Sequence, residues 1–126
     1  MEENFGSLGQ VFSAQIYPKG WGHELWLVNS KLYCGKILVF KDGKRCSWHF
    51  HKIKTETFYV LQGEFRIMYS MEDDIQSANS IVLNQGQIFH VPRLMRHQMI
   101  ANGDSQLIEV STEHSENDSY RLIKGD

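Results

Sequence analysis

The sequence predicts an all-β fold, built as a sandwich or barrel in a single domain. Short segments rich in β-branched or aromatic residues recur every ~8–12 residues, and Gly, Asn, Asp or Pro separates most of them. No segment has a sustained 3.6-residue apolar period, so at most a short helical turn is expected. The 126 residues fit one domain of roughly 100–150 residues. The chain contains no linker, repeat or low-complexity tract.

The first half of the chain contains five predicted strands, each with the composition that strands favour. A turn signal at Lys41–Lys44 and a polar stretch at Lys52–Thr55 separate the last three of them. In chain order these five strands are Val11–Tyr17, Leu25–Val28, Gly35–Phe40, Ser47–His51 and Glu56–Leu61.

The second half contains five more predicted strands. The turn signals Gln62–Gly63, Asn84–Gly86 and Ala101–Asp104 each include a glycine, which adopts positive φ without steric cost. The polar, acidic stretch Met71–Asn79 is expected to form an exposed loop between the two halves of the sheet structure. In chain order these strands are Glu64–Ser70, Ser80–Leu83, Gln87–Val91, His97–Ala101 and Gln106–Thr112.

Composition excludes several classes of function. Thirteen basic and fifteen acidic residues give a net charge of −2, so we expect no nucleic-acid partner. No apolar run approaches the roughly 20 residues that span a membrane. The acidic start Met1–Asn4 has no apolar stretch, so we expect no signal peptide. Cys34 and Cys46 do not form a disulfide framework, which favours a cytoplasmic location.

Three histidines and one glutamate have the pattern of a metal site. His49 and His51 are two residues apart, so on a strand both imidazoles lie on the same face. Glu56 begins the next strand and His97 opens a later one, and both could face the same space. Three imidazoles and a carboxylate suit one divalent ion, namely zinc, manganese, iron, nickel or cobalt, and leave open positions for a substrate. Taken alone, a His-x-His pair is more often a pocket-rim pair.

This pattern resembles the cupin superfamily. Its first motif is matched completely and its second in part, because Leu94 replaces a glycine and the asparagine is displaced to Asn102. The resemblance implies a double-stranded β-helix, or jelly-roll barrel, with the metal inside one end. It also implies one domain over residues 1–126, with an arm at about 1–18, a barrel at about 19–115 and a tail at about 116–126. Cupins of this size often form homodimers through N-terminal strands, here Val11–Tyr17. The matching residues are Gly43, His49, His51, Glu56, Gly63, Gly86, Pro92 and His97.

A second, weaker resemblance is to the cupin module of mannose-6-phosphate isomerases. Trp21-Gly22, Lys36, Ile108–Val110 and Glu116–Arg121 match its short segments, although Gly20 stands where that family has a proline. This resemblance implies an aldose–ketose isomerase acting on a sugar or sugar phosphate through an enediol. Such chemistry needs a Lewis acid, a base and a cationic group for the phosphate.

Candidate residues exist for each of these roles. Glu109 is the preferred catalytic base, with Lys36 and Glu24 as weaker candidates. Arg96 and Arg93 are expected to bind the substrate, with Lys36 and Arg121 also available for a phosphate, and Phe58 is expected to line the pocket. Two other functions remain open: a cupin dioxygenase or lyase acting on a small carboxylate, and a cupin that binds a sugar or another small ligand without turnover.

Overall fold

The computed structural model of the protein describes residues 9–126. The acidic start Met1–Asn4 and the first part of the expected arm therefore lie outside the described residues. No helix in residues 9–126 has the length and apolarity needed to cross a membrane. Two one-turn 3₁₀ helices, Ile75–Ser77 and Glu116–Asp118, accompany nine strands: β1 (Gln15–Lys19), β2 (Gly22–Asn29), β3 (Cys34–Phe40), β4 (Trp48–Phe50), β5 (Glu56–Ser70), β6 (Asn79–Asn84), β7 (Ile88–Val91), β8 (Arg96–Ser111) and β9 (Tyr120–Ile123).

The nine strands form one antiparallel sheet that curls into two layers. The long strands β5 and β8 pair along most of their length and contribute to both layers. One layer has the order β1-β2-β3-β8-β5-β7, and the other has the order β9-β4-β8-β5-β6. The prediction of an all-β barrel is confirmed.

Two of the predicted turns are β-bulges inside long strands. The predicted strands Glu56–Leu61 and Glu64–Ser70 are both part of β5, and the register shifts on either side of Gln62. Gly63 has a φ of 82° there, and a Cβ at this position would overlap the side chain of Ser105. A bulge bends a strand and increases its twist, which carries β5 from one layer into the other. The predicted turn at Ala101–Asp104 likewise lies inside β8. The chain therefore does not reverse at either of these two predicted turns.

The edges of the sheet also differ from the prediction. β1 begins at Gln15 rather than at Val11, and Gln15 pairs with Trp26, next to a bulge in the pairing of β2 with β3. Val11 is 98% exposed. At the opposite edge, the tail contains the unpredicted strand β9, which pairs with β4. The tail is therefore part of the sheet.

The apolar core lies between the two layers and adjoins a cluster of buried polar residues. Trp21 stacks on Phe40 with ring centroids 4.1 Å apart, and Phe40 meets Phe65 edge to face at 5.1 Å. Charged side chains are seldom fully buried unless they are paired or bind a ligand. The cluster therefore marks the candidate functional site, and its main members are Lys36, His51, Lys54, Glu56, His97 and Glu109.

Candidate metal centre

Strand pairing brings the three predicted histidine ligands together. His49 on β4 lies directly opposite His97 on β8, and their ring centroids are 4.3 Å apart. His51 follows two residues after His49 and points to the same side, with ring centroids 5.0 Å apart. One ring nitrogen of each histidine lies within 4.8 Å of those of the other two. This arrangement could hold a metal ion.

The hydrogen bonds of the three imidazoles fix their tautomers. Each Nδ1 lies near a backbone carbonyl, which can only accept, so each Nδ1 carries the proton and donates it. Each Nε2 therefore keeps a lone pair for a metal, as in many histidine-ligated sites. For His49, His51 and His97 the accepting carbonyls are those of Ser47 at 2.9 Å, Asp118 at 2.8 Å and Met95 at 2.9 Å.

Glu56, the fourth predicted ligand, lies beside two of the three histidines. Its Oε2 lies 3.0 Å from Nε2 of His97 and 3.5 Å from Nε2 of His51. Both Oε2 of Glu56 and Nε2 of His97 are buried without a hydrogen-bond partner in the described part of the chain. Unpartnered buried acceptors that face each other are costly unless a cation lies between them. The donor set therefore fits a divalent metal with nitrogen and oxygen ligands.

The electrostatics at His49 and Glu56 favour the ionisation states that a metal requires, whereas the neighbouring Glu56 raises the pKa of His51 in spite of burial. Burial, and then the nearby His97 and His51, hold the pKa of His49 well below its usual value. Burial alone would raise the pKa of Glu56. The charge of Lys54, together with the neighbouring His51 and His97, outweighs burial, so this pKa lies well below the usual value. A neutral imidazole and an ionised carboxylate are the forms that bind metal.

A cavity of about 270 Å³ opens beside the histidines. Lys36 on β3 pairs in register with Glu109 on β8, which in turn pairs with Phe58 on β5. Residues at paired positions share a face of the sheet, and all three side chains line the cavity. Glu109 is 4% exposed and therefore does not face solvent.

Lys54 was not singled out by the sequence analysis, yet it lies at the centre of the polar cluster. Its Nζ is 2.7 Å from Oε2 of Glu109, 3.1 Å from Oε1 of Glu56 and 3.1 Å from Nδ1 of His114. Burial lowers the pKa of Lys54, but the charges of Glu109 and Glu56 outweigh burial and raise it. The sequence offered no signal for this role, because the exposed Lys52 in the same loop has the same local pattern.

The two arginines expected to bind substrate lie outside the cavity lining, which includes Arg121 instead. Arg96 precedes His97 on β8 and so points to the opposite side of the strand. Its guanidinium lies 2.8 Å from Oδ1 of Asp73 and 3.9 Å from the ring centroid of Phe50. Arg93 is exposed in the turn before β8.

The motif departure at Leu94 leaves the local turn intact. Leu94 has a φ of 70°, in the left-handed region that glycine adopts most easily. Its backbone N–H donates to the carbonyl of His51 at 2.7 Å. The turn therefore forms with leucine and contacts the strand that carries the metal ligands.

Asp118, in the tail, supports both His51 and the loop after it. Its carbonyl accepts the Nδ1 proton of His51, as described above. Its carboxylate accepts the backbone N–H groups of Lys52, Ile53 and Lys54 at 2.9, 3.1 and 2.9 Å. These hydrogen bonds outweigh burial and lower the pKa of Asp118. The tail thus orients a metal ligand.

We expect Asp118→Ala to weaken metal binding by about 10–100-fold, the usual cost of disturbing an outer-shell partner. Alanine keeps the carbonyl that accepts from His51, but the carboxylate that holds this carbonyl against the loop is lost. The loop carrying His51 and Lys54 would lose three hydrogen bonds. Competition with a chromogenic chelator measures the affinity. Asp74→Ala is the matched control, because this aspartate also accepts a backbone N–H, from Gln76, but outside the site. Equal metal affinity in the two variants would contradict the role of Asp118.

Solved structures of known proteins share this fold. CapF with the inhibitor 3-isopropenyl-tropolone is 17% identical with a TM-score of 0.77, over 90% of this chain and 35% of that chain. Oxalate decarboxylase from Bacillus subtilis is 19% identical with a TM-score of 0.75, over 88% of this chain and 31% of that chain. KdgF from Halomonas sp. is 19% identical with a TM-score of 0.65, over 75% of this chain and 81% of that chain.

These similarities concern the fold alone. The chain spans only about a third of the CapF and oxalate decarboxylase chains that it matches. No curated protein matches the chain in sequence. Residues 36–112, more than half of the chain, match the family described as the cupin domain, and this segment contains the three histidines and Glu56. The protein therefore belongs to the cupin family.

Proposed function

We propose that this cupin is a metal-dependent isomerase that interconverts an aldose and a ketose, free or phosphorylated. The observation that carries the proposal is the position of Glu109, a buried carboxylate lining the same cavity as His49 and His51. An isomerisation through an enediol needs a base beside an electrophilic centre. Glu109 and the candidate metal ligands provide these two elements within one cavity.

In this mechanism Glu109 moves the proton. A divalent ion held by His49, His51, His97 and Glu56 would supply the Lewis acid that this chemistry needs. Lys54 and Ser111 both contact Oε2 of Glu109, so Oε1 has no hydrogen-bond partner among the described residues. Oε1 takes the proton from the carbon next to the carbonyl, which leaves an enediolate. The hydroxyl proton moves from one oxygen of the enediolate to the other, and Oε1 returns its proton to the neighbouring carbon. Atoms and charge balance without a further reactant.

Lys36 is the proposed group for an anionic substituent of the substrate. Its Nζ lies 3.7 Å from Oε1 of Glu24 and 4.1 Å from the ring centroid of Trp26. An ammonium that is 2% exposed and has no closer acceptor in the described chain favours an anionic ligand. Arg121 also lines the cavity. We therefore propose Lys36 and Arg121, rather than Arg93 and Arg96, as the phosphate-binding groups.

A second candidate function is a lyase or dioxygenase reaction on a small carboxylate. The similarity in fold to oxalate decarboxylase supports it, as does a set of ligands that leaves coordination positions open. The cavity of about 270 Å³ suits a small metabolite of either kind.

Metal analysis of the purified protein followed by substrate assays separates the candidates. The protein, reloaded with its metal, is incubated in D₂O with aldoses, ketoses and their phosphates, and deuterium incorporation is followed by NMR. We expect deuterium on the carbon next to the carbonyl, together with the isomeric sugar. Carbon dioxide release or oxygen uptake with small carboxylates, without sugar exchange, would favour the second function. Binding without any turnover would favour a ligand-binding cupin.

We also propose that the protein is a cytoplasmic homodimer. The two cysteines are free and buried, which supports a reducing compartment. A continuous row of apolar side chains crosses six paired strands on the outer face of one layer, and several of these side chains are exposed. Uncharged outer faces of this extent are typical of interfaces. The row is Ile16, Leu25, Ile37, Ile108, Tyr59 and Ile88.

Ile88→Lys is expected to convert the dimer to a monomer, because it places a charge in the row at a side chain that is 56% exposed. Light scattering during size-exclusion chromatography measures the mass. Leu32→Lys, at a side chain that is 76% exposed and outside the row, is the matched control and should remain dimeric. A parent protein that is monomeric at micromolar concentration would contradict the dimer.

A further inference from the structure

We propose that Lys54 is a positioning residue that fixes two carboxylates at once. It directs Glu56 toward the metal position and Glu109 toward the substrate. The second half of this inference rests on the proposed function, while the first half rests only on the metal centre. The inference is carried by the three contacts of Lys54 and by its burial, since its side chain is 2% exposed.

The ammonium group of Lys54 has no donor left for a substrate. A lysine has three N–H donors and no acceptor. Acceptors on Glu56, Glu109 and His114 lie at 3.1, 2.7 and 3.1 Å from Nζ. Lys54 therefore acts through the residues that it holds rather than by direct contact with substrate.

Each carboxylate is held by one oxygen and presents the other. Glu56 contacts Lys54 through Oε1, and its Oε2 lies beside His51 and His97. Glu109 contacts Lys54 through Oε2, and its Oε1 remains for a substrate. A shared cation also offsets the repulsion between two buried carboxylates, which would otherwise disfavour their ionised forms. Lys54 thus leaves one oxygen of Glu56 facing the metal position and one oxygen of Glu109 facing the substrate.

The surroundings hold Lys54 in one place. Because Lys54 donates to Nδ1 of His114, the other ring nitrogen of His114 carries a proton, which it donates to Oε1 of Glu116 at 3.1 Å. Asn29 fixes the backbone of His114 on both sides, accepting its N–H at 2.9 Å and donating to its carbonyl at 3.1 Å. The N–H of Lys54 itself is bonded to Asp118. Such support is required of a residue that orients others.

Metal affinity tests the inference without an activity assay. Lys54→Met and Lys52→Met carry the same substitution in the same loop. Among residues 9–126, the Nζ of Lys52 packs only on the ring of Tyr120, at 4.5 Å. With Zn²⁺ as the probe and a chelator as competitor, we expect Lys54→Met to weaken binding by about 10–100-fold. Lys52→Met should stay within about twofold of the parent, as surface changes usually do. Parent-like affinity in Lys54→Met would overturn the proposal.

A second variant covers the case in which Lys54→Met does not fold, which circular dichroism would reveal. Lys54→Arg keeps the charge, but a planar guanidinium cannot meet three acceptors placed around one nitrogen. We expect a folded protein with a smaller loss of Zn²⁺ affinity, about three- to tenfold, below the usual outer-shell cost. If Lys54→Met does not fold and Lys54→Arg binds Zn²⁺ as tightly as the parent, Lys54 contributes only a stabilising charge. This result would overturn the proposal.

The kinetic parameters test the half that concerns Glu109. At saturating metal, we expect Lys54→Arg to lower kcat by about 10–100-fold with little change in KM, because Lys54 positions the base and does not touch substrate. A rise in KM with unchanged kcat would contradict this. If the parent itself isomerises no sugar, the proposed function fails, and the Zn²⁺ affinities still decide whether Lys54 positions Glu56.

Discussion

His49→Ala is expected to abolish functional metal binding, with a loss of affinity of at least about 1000-fold, well beyond the 10–100-fold cost of an outer-shell change. The three histidines each direct a lone pair into one space, and removing one leaves an incomplete ligand set. His49 suits the test because its Nδ1 contacts only the neighbouring Ser47, so no distant hydrogen bond is lost. Elemental analysis after dialysis measures the bound metal.

The control for this variant is His90→Ala. His90 is exposed and is hydrogen bonded to Thr57 at 2.8 Å, and it is not among the three clustered histidines. The His90→Ala variant should bind the same amount of metal as the parent. If His49→Ala retains the parent's metal after dialysis, the candidate metal centre is wrong, whatever the activity of the protein.

Part of the histidine cluster could be predicted because side chains two residues apart on a strand lie on the same face. His49 and His51 must share a face on any regular strand. Bringing His97 opposite His49 required the pairing of β4 with β8, which no local pattern encodes; the superfamily motif supplied it. Local geometry thus accounts for one pair of ligands, and the resemblance accounts for the third histidine and Glu56.

The turns predicted at Gly63 and Gly103 were wrong because a glycine does not by itself distinguish a turn from a bulge. A glycine at positive φ serves equally in a tight turn and in a β-bulge. Gly43 lies in a true turn, whereas Gly63 and Gly103 lie within long strands. Only the register with the partner strand separates the two cases, and register is a property of the folded sheet.

The charged residues of the site were also only partly predictable from the sequence. Arg96 was expected to bind the substrate because it flanks the turn at the pocket, yet it is next to His97, and neighbouring positions on a strand face opposite ways. Lys54 lies in an irregular loop, where side chains do not alternate between two faces. Its backbone N–H donates to Asp118, which is far along the chain. Glu109 and Lys36 lie on regular strands, where the alternation of side chains predicts that they face the cavity, and both line it. Lys54, outside the regular strands, was missed.

Glu109→Gln is expected to reduce proton exchange between substrate and solvent by about 100- to 10,000-fold, the usual contribution of a general base. Glutamine has nearly the same shape, and its carbonyl oxygen can still accept from Lys54. The amide is not basic enough to take a proton from carbon. Zn²⁺ affinity should stay within a few-fold of the parent, because Glu56 keeps its own contact with Lys54. NMR of the substrate in D₂O measures the exchange.

Glu24→Gln is the matched control, because Glu24 also lines the cavity but contacts Lys36 instead of Lys54. If Glu24→Gln stops exchange and Glu109→Gln does not, the base is Glu24 and the role given to Glu109 is wrong. If neither variant alters exchange while His49→Ala abolishes it, no cavity carboxylate outside the ligand set acts as the base. Loss of exchange in Glu109→Gln with full metal content would separate proton transfer from metal binding, because the two carboxylates that Lys54 holds would then have distinct tasks.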